Sequence, residues 1–361
     1  MAEPSAPLPE SKWIAELDYL RGFAIIAVLM NHISTYDISQ KSLPVAVLNI
    51  GQITFSSLGV LTFFFISGMV LANKYYPSVP VRAFYKKRLS TVVPPYLVIS
   101  TAFIILFAYL FTAPSSSTVV LDYLTGSADE ALWFVVVILQ FYILYPLIVA
   151  LYRNFETRGF EGRFVLLSLA VQVSWNLLSQ LLVNADTSAY LDRVFLSYLF
   201  FFVFGMYIAR RRGKFYAAIR EAPWSLLLSL TAVTFFFASL AVYAFSKTLN
   251  DGLSHIFIFY TVASLAWPML SLTSYKASLI LSERKGFWPE VMKKLGKASF
   301  SIYLLHIFVL IALTDILGGM VMRPARAEEM NMDTFIDAPR VSEMMTNRMC
   351  IIGKSVYCTR E

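Results

Sequence analysis

The sequence predicts an all-α protein: a polytopic bundle of about nine transmembrane helices with its N-terminus in the cytoplasm. Three observations predict it. Of the 361 residues, 58% are hydrophobic and 15% are charged, against roughly 25% charged in a soluble domain. The apolar residues gather in runs of about 20, the length a helix needs to cross a hydrocarbon core. Basic residues, finally, concentrate in every second connection between those runs. Length alone admits two soluble domains, but the block pattern argues for one membrane-embedded body.

The runs give the candidate spans Leu17–Tyr36, Gln52–Asn73, Val93–Ala113, Ala131–Leu151, Phe164–Val183, Val194–Ala209, Ser225–Phe245, Leu253–Tyr275 and Ser299–Gly319. The first is interrupted by Arg21 and His32, the sixth is short, and the eighth contains Pro268, a candidate break. The expected organisation is a cytoplasmic segment 1–16, a transmembrane domain 17–320 and a polar tail 321–361. Met1–Glu16 is rich in Pro and Glu and shows no apolar signal-peptide core.

Orientation follows from the bias of Lys and Arg toward cytoplasmic loops. The connections after spans two, four, six and eight carry Lys74, Arg82, Lys86, Lys87, Arg88; Arg153, Arg158, Arg163; Arg210, Arg211, Arg212, Lys214, Arg220; and Lys276, Arg284, Lys285, Lys293, Lys294, Lys297. The alternate connections carry only Lys41, Arg193 and Lys247. The basic tail beyond Gly319 breaks this pattern, since nine spans place it outside.

A net charge of +7 is the kind that attracts nucleic acid. Here the cations sit where topology requires them, so no nucleic-acid partner is expected and the lipid bilayer is the partner. Cys350 and Cys358 are the two cysteines, too few to report a redox compartment, although they could pair if the tail lies outside the cytosol. There is no internal repeat, Gly-rich phosphate loop, Gly-x-Ser-x-Gly elbow or metal-spaced His/Cys cluster. Neither a metal nor a permanently bound cofactor is expected.

Charge within the hydrocarbon costs about 2.5–3.5 kcal/mol per residue on insertion scales and usually marks a working site. Spans two to seven contain no Asp, Glu, Lys, Arg or His, whereas span one contains Asp18, Arg21 and His32. Arg21 and His32, eleven residues apart, differ by only about 20° around a helix and are about 16 Å apart along it. Asp18 lies one turn before Arg21, in ion-pair register. A guanidinium can hold an anionic or carbonyl-bearing donor, and an imidazole can take a proton from a hydroxyl. A purely structural reading, with Arg21 paired to Asp18 and His32 bonded to a neighbouring helix, fits the same spacing.

The stretch Leu17-Asp18-Tyr19-Leu20-Arg21-Gly22-Phe23-Ala24, continuing to Val28 and His32, resembles the opening signature of the acyltransferase-3 family of integral-membrane acyltransferases. Further similar elements follow in family order. These are Phe63-Phe64-Phe65-Ile66-Ser67-Gly68, Phe84-Tyr85-Lys86-Lys87-Arg88-Leu89 with Pro94-Pro95-Tyr96-Leu97, Leu132-Trp133-Phe134 with Phe141-Tyr142 and Pro146, and Leu295-Gly296-Lys297 with Ser299 through His306.

The resemblance implies transfer of an acyl group, acetyl being commonest in the family, from acyl-CoA to a hydroxyl of a cell-surface glycan or another extracytoplasmic acceptor. The setting it implies is the bacterial inner membrane. It implies His32 as catalytic base and Arg21 as a second essential residue. By the same resemblance Arg88 would grip CoA phosphates, while positive-inside anchoring accounts for Lys86 and Lys87. Ser67 and Gly68 fit either close approach of the thioester or small-residue helix packing. Trp133 and Tyr142 would line the glycan site, although an interfacial aromatic belt also explains Trp133. His306 fits a structural hydrogen bond at least as well as catalysis, and His255 reads as a solvated helix end.

Two departures stand out. The family's second arginine in the third-span motif is Thr91 here, and the polar tail stands where members usually carry a further helix. The rival readings are an exporter of a lipid-linked glycan or small molecule and a non-catalytic membrane partner.

Overall fold

A computed structural model describes residues 10–33, 43–110, 114–182, 188–248 and 256–322. All regular structure among them is helical. In chain order the helices are α1 (Glu10–Ile33), α2 (Leu43–Tyr75), α3 (Val81–Leu110), α4 (Ser116–Thr125), α5 (Trp133–Thr157), α6 (Glu161–Leu182), α7 (Ser188–Leu191), α8 (Leu199–Arg210), α9 (Arg212–Glu221), α10 (Trp224–Thr248), α11 (Ile256–Glu283) and α12 (Phe287–Met322). Short 3₁₀ turns precede α5 and α8.

Most of each predicted apolar run falls within one of α1, α2, α3, α5, α6, α8, α10, α11 and α12. Length and composition alone qualify five of the described helices to cross a membrane, or six if α9 and α10, bent by 97°, count as one span. Charge weakens α1, and α8 is only 12 residues long. Helix α11 runs through Pro268 without a break, so the predicted interruption is absent. The tail beyond Met322, its two cysteines and His255 lie outside the described residues.

Lipid supplies no hydrophobic drive between helices, so tight backbone approach and polar contacts must hold them together. Glycines provide that approach. A β-carbon on Gly22 would sit 2.5 Å from the Met292 carbonyl oxygen, and one on Gly296 would overlap the Asp18 carbonyl. These reciprocal contacts bring α1 and α12 together as parallel helices. A β-carbon on Gly59 would lie 2.7 Å from the Ala24 carbonyl oxygen, which brings α2 onto another side of α1. Gly68 and Gly205 make the matching crossing between α2 and α8, against Phe202 and Phe65.

Helix α8 begins deep in the bundle, where its first N–H groups have no intrahelical acceptor. Two glutamines answer this. Gln172, fully buried on α6, accepts from the Phe200 N–H at 2.9 Å and donates to the Ser264 hydroxyl at 2.7 Å. Gln140 on α5 accepts from the Phe195 N–H at 3.0 Å and donates to the Arg193 carbonyl at 2.7 Å. A helix too short to span is thereby satisfied inside apolar surroundings.

At the opposite end of α8, Arg210 pairs with Glu156 at 3.0 Å and lies over the Tyr76 ring. The Tyr76 hydroxyl donates to the same carboxylate. Burial, reinforced by that bond, pushes the Tyr76 phenol up to about 12, so it remains a donor throughout the neutral range. Arg211 pairs with Glu161. The ends of α2, α5, α6 and α8 are thus tied by one charged knot.

Two cations assigned to connections have other roles. Lys276 lies within α11, is 7% exposed, and donates to the carbonyls of Arg220 (3.2 Å) and Ala222. It thus satisfies the carbonyl end of α9. Arg193 donates to the Thr125 carbonyl at 2.9 Å and to the Ser127 hydroxyl, fastening the stretch after α4.

Gly296→Val is expected to cost at least about 1–3 kcal/mol through overpacking, read as a lower unfolding temperature in detergent. Gly162→Ala, where a β-carbon meets nothing within 4 Å, should be neutral or slightly stabilising. Gln172→Leu strands the Phe200 N–H and should cost about 1–3 kcal/mol by the same measurement.

Candidate functional site

The charged residues of α1 define two poles. Arg21 is one. Its guanidinium pairs with Asp18 at 2.7 Å, with side-chain exposures of 27% and 8%, as their spacing predicts. Across the bundle, Arg88 of α3 lies over the rings of Tyr75 and Tyr142, at 5.5 and 5.7 Å from the ring centroids. Both Arg88 and Arg21 lie within electrostatic range of the buried Tyr142 phenol. The Arg88 Nε is buried without a hydrogen-bond partner among the described residues. This pole therefore offers one guanidinium over two aromatic rings and a second within electrostatic range of the same phenol, an arrangement suited to phosphate or another anion.

His32 is the other pole, eleven residues on and about 16 Å along the helix. Its ring centroid lies 4.9 Å from that of His306 on α12, with the planes inclined at 59°. The same parallel register produces both the glycine crossing and this ring pair. Gly22 precedes His32 by ten residues, and Gly296 precedes His306 by ten. Around it, the Ser56 hydroxyl bonds the Asn31 amide oxygen at 3.0 Å, and Gln52 donates to the Met30 carbonyl at 3.2 Å. His306 is 4% exposed, and its Nδ1 lies 2.6 Å from the Tyr303 carbonyl oxygen. Tyr303 is held in turn by donating to the Ala131 carbonyl.

The remaining predicted site residues divide between these poles or leave them. Tyr142 joins Arg21 and Arg88. Trp133 starts the same helix but stacks on Tyr198, centroids 5.3 Å apart at 25°. Nine residues separate Trp133 from Tyr142, about 13.5 Å and half a turn of phase, so the two face opposite sides of α5. The backbone face of Gly68 is filled by the Phe202 carbonyl of α8. Helix packing thus occupies that face of Gly68. Ser67 beside it is half-buried. Thr91, in place of the family's second arginine, turns its hydroxyl onto the Lys87 carbonyl at 2.7 Å and brings no cation to the site.

Sequence reasoning did not bring His306 to His32. Its ring alone gives no sign of its partner, because the pairing depends on which distant helix lies against α1. No group of three or more His, Cys, Asp or Glu side chains with metal-binding geometry occurs among the described residues.

Comparison with known proteins agrees with the motif order. The family model described as an acyltransferase domain matches residues 14–324, a stretch that includes both poles. No curated protein and no solved structure matches the chain. The match covers most of the 361 residues and contains every helix that forms the two poles: the chain belongs to the acyltransferase-3 family and is an integral-membrane acyltransferase by that membership.

Proposed function

We propose that the protein moves an acyl group, acetyl by family usage, from acyl-CoA in the cytosol to a hydroxyl of an extracytoplasmic glycan or similar acceptor, working in a bacterial inner membrane. One observation carries the reading: a single helix holds a guanidinium pole and an imidazole pole about 16 Å apart. CoA has its phosphates at one end of a long thin arm and its thioester at the other. The Arg21, Arg88 and Tyr142 pole suits the phosphate-bearing end, and His32 suits the reacting end. The charge bias of the loops supports the Arg21 end as cytosolic.

In this mechanism His32 removes the proton from the acceptor hydroxyl as the oxygen attacks the thioester carbonyl. The tetrahedral centre then collapses with cleavage of the C–S bond. The CoA thiolate leaves and takes the proton back from the imidazolium. Arg88, stacked over two tyrosines with its Nε unbonded, is free to turn a fork of N–H donors toward phosphate.

His32→Ala, inserted and folded as the parent, is expected to lose about 10²–10⁴-fold in transfer rate. The measurement is acceptor-dependent release of free CoA from proteoliposomes, with mass spectrometry of the acceptor for the added acyl mass. Full-rate transfer by that variant rejects His32 as the base, and acceptor movement without CoA release favours the exporter reading. Arg88→Ala should raise the KM for acyl-CoA about tenfold or more, in keeping with loss of a charge-assisted contact, and leave kcat within about twofold. A fall in kcat at unchanged KM would remove Arg88 from donor binding.

A further inference from the structure

The His306 ring has two nitrogens with unequal surroundings. Nδ1 lies 2.6 Å from the Tyr303 carbonyl oxygen. A carbonyl oxygen only accepts, so the proton must be on Nδ1. In the neutral ring Nε2 is then a bare acceptor. That atom is buried and has no hydrogen-bond partner among the described residues, although a buried polar atom is costly to leave unmade. The ring packed against that of His306 is His32, with centroids 4.9 Å apart. At that separation two ring nitrogens turned toward each other come within hydrogen-bonding reach.

We infer that His306 is the positioning residue of the His32 site: its Nε2 accepts the N–H of His32, fixing the tautomer and plane of that imidazole so that the other His32 nitrogen is a bare base. The chain of bonds runs from the Tyr303 carbonyl to His306 Nδ1–H and from His306 Nε2 to His32 N–H. It ends at an unprotonated His32 nitrogen. No covalent bond changes in this arrangement. Its contribution is orientation, the service a second group performs for the base of a hydrolytic triad.

This inference rests on the proposed function for its catalytic meaning but not for its structural test. The chain contains three histidines, so ¹⁵N-histidine labelling of the full chain in detergent micelles gives a spectrum assignable by single substitution of each. The expected result is a His306 ring in the Nδ1–H form and a His32 ring locked as one tautomer. In His306→Phe, which keeps a ring but offers no acceptor, the His32 signals should move to a tautomeric mixture while those of His255 stay in place. In His306→Gln, whose amide oxygen can present an acceptor near the Nε2 position, they should stay locked.

The matching kinetic result is a fall in kcat of about 10²-fold or more in His306→Phe at unchanged donor KM, with substantial recovery in His306→Gln. An unchanged His32 spectrum in the Phe variant overturns the inference. So does equal disturbance by Phe and Gln, which marks a packing role. Absence of transfer by the parent protein would instead reject the proposed function, leaving the spectra to decide the histidine pair.

Discussion

The close crossing of α1 with α12 is the contact on which the site depends. A helix carrying Glu16, Asp18, Arg21 and His32 cannot face lipid at a tolerable cost, so neighbours must enclose it. Helices α2, α11 and α12 do so. Because hydrocarbon gives no hydrophobic reward for enclosure, the association needs dispersion contacts made at short range. Gly22 and Gly296 permit this by leaving the Met292 and Asp18 carbonyls where β-carbons would stand. The crossing fixes a register as well as a distance. Once Gly22 and Gly296 face each other in parallel helices, the residues ten positions beyond each are carried side by side, and both are histidines.

The enclosure also explains why the polar groups gather at two poles rather than along a continuous seam. Between Arg21 and His32 the packed side of α1 is apolar, with Ala24, Ile25 and Val28 buried. Along α1 the charged pair Asp18–Arg21 stands at one end, and the uncharged groups of Asn31, Ser56 and Gln52 stand about His32 at the other. Phe64 of α2, Phe134 and Phe141 of α5 and Phe202 of α8 form a cluster of ring contacts, which Trp133 and Tyr198 extend. This core is why Trp133 and Tyr142, close in sequence and both suited to sugars, serve different neighbourhoods.

How far the sequence reached can be judged from particular residues. The helices were legible because hydropathy blocks are long, and the Asp18–Arg21 pair because it is local to one helix. Pairings between helices were not legible, since nothing within α1 or α12 names the other. Hence the neighbour of His306, 274 positions away at His32, could not be read from either helix, and a structural hydrogen bond fitted His306 at least as well as catalysis. Lys276 was misplaced for a related reason. A lysine close to an apolar run looks like a loop cation until the carbonyl end of α9 arrives to accept its hydrogen bonds. Gly68 left two readings open because helix packing and ligand approach demand the same missing side chain, and the Phe202 carbonyl occupies that face. The family motifs reached further than the physics of single helices because their order along the chain already contains information about pairing.

A base buried in a membrane protein faces a constraint that a soluble hydrolase escapes. Fixing an imidazole tautomer needs an acceptor beside it, and a carboxylate is the usual choice. In apolar surroundings an ionised carboxylate carries a desolvation penalty of several kcal/mol, recovered only with excellent geometry and further hydrogen bonds. A neutral imidazole whose own proton is held by a backbone carbonyl presents the same kind of lone pair with no net charge. The Tyr303 carbonyl can do this because it is offered to a ring three residues on, within a helix that closely packed glycine already holds against α1. In the proposed site the orienting group and the base thus arrive on two helices whose spacing is set elsewhere, and the histidine pair adds no buried ion.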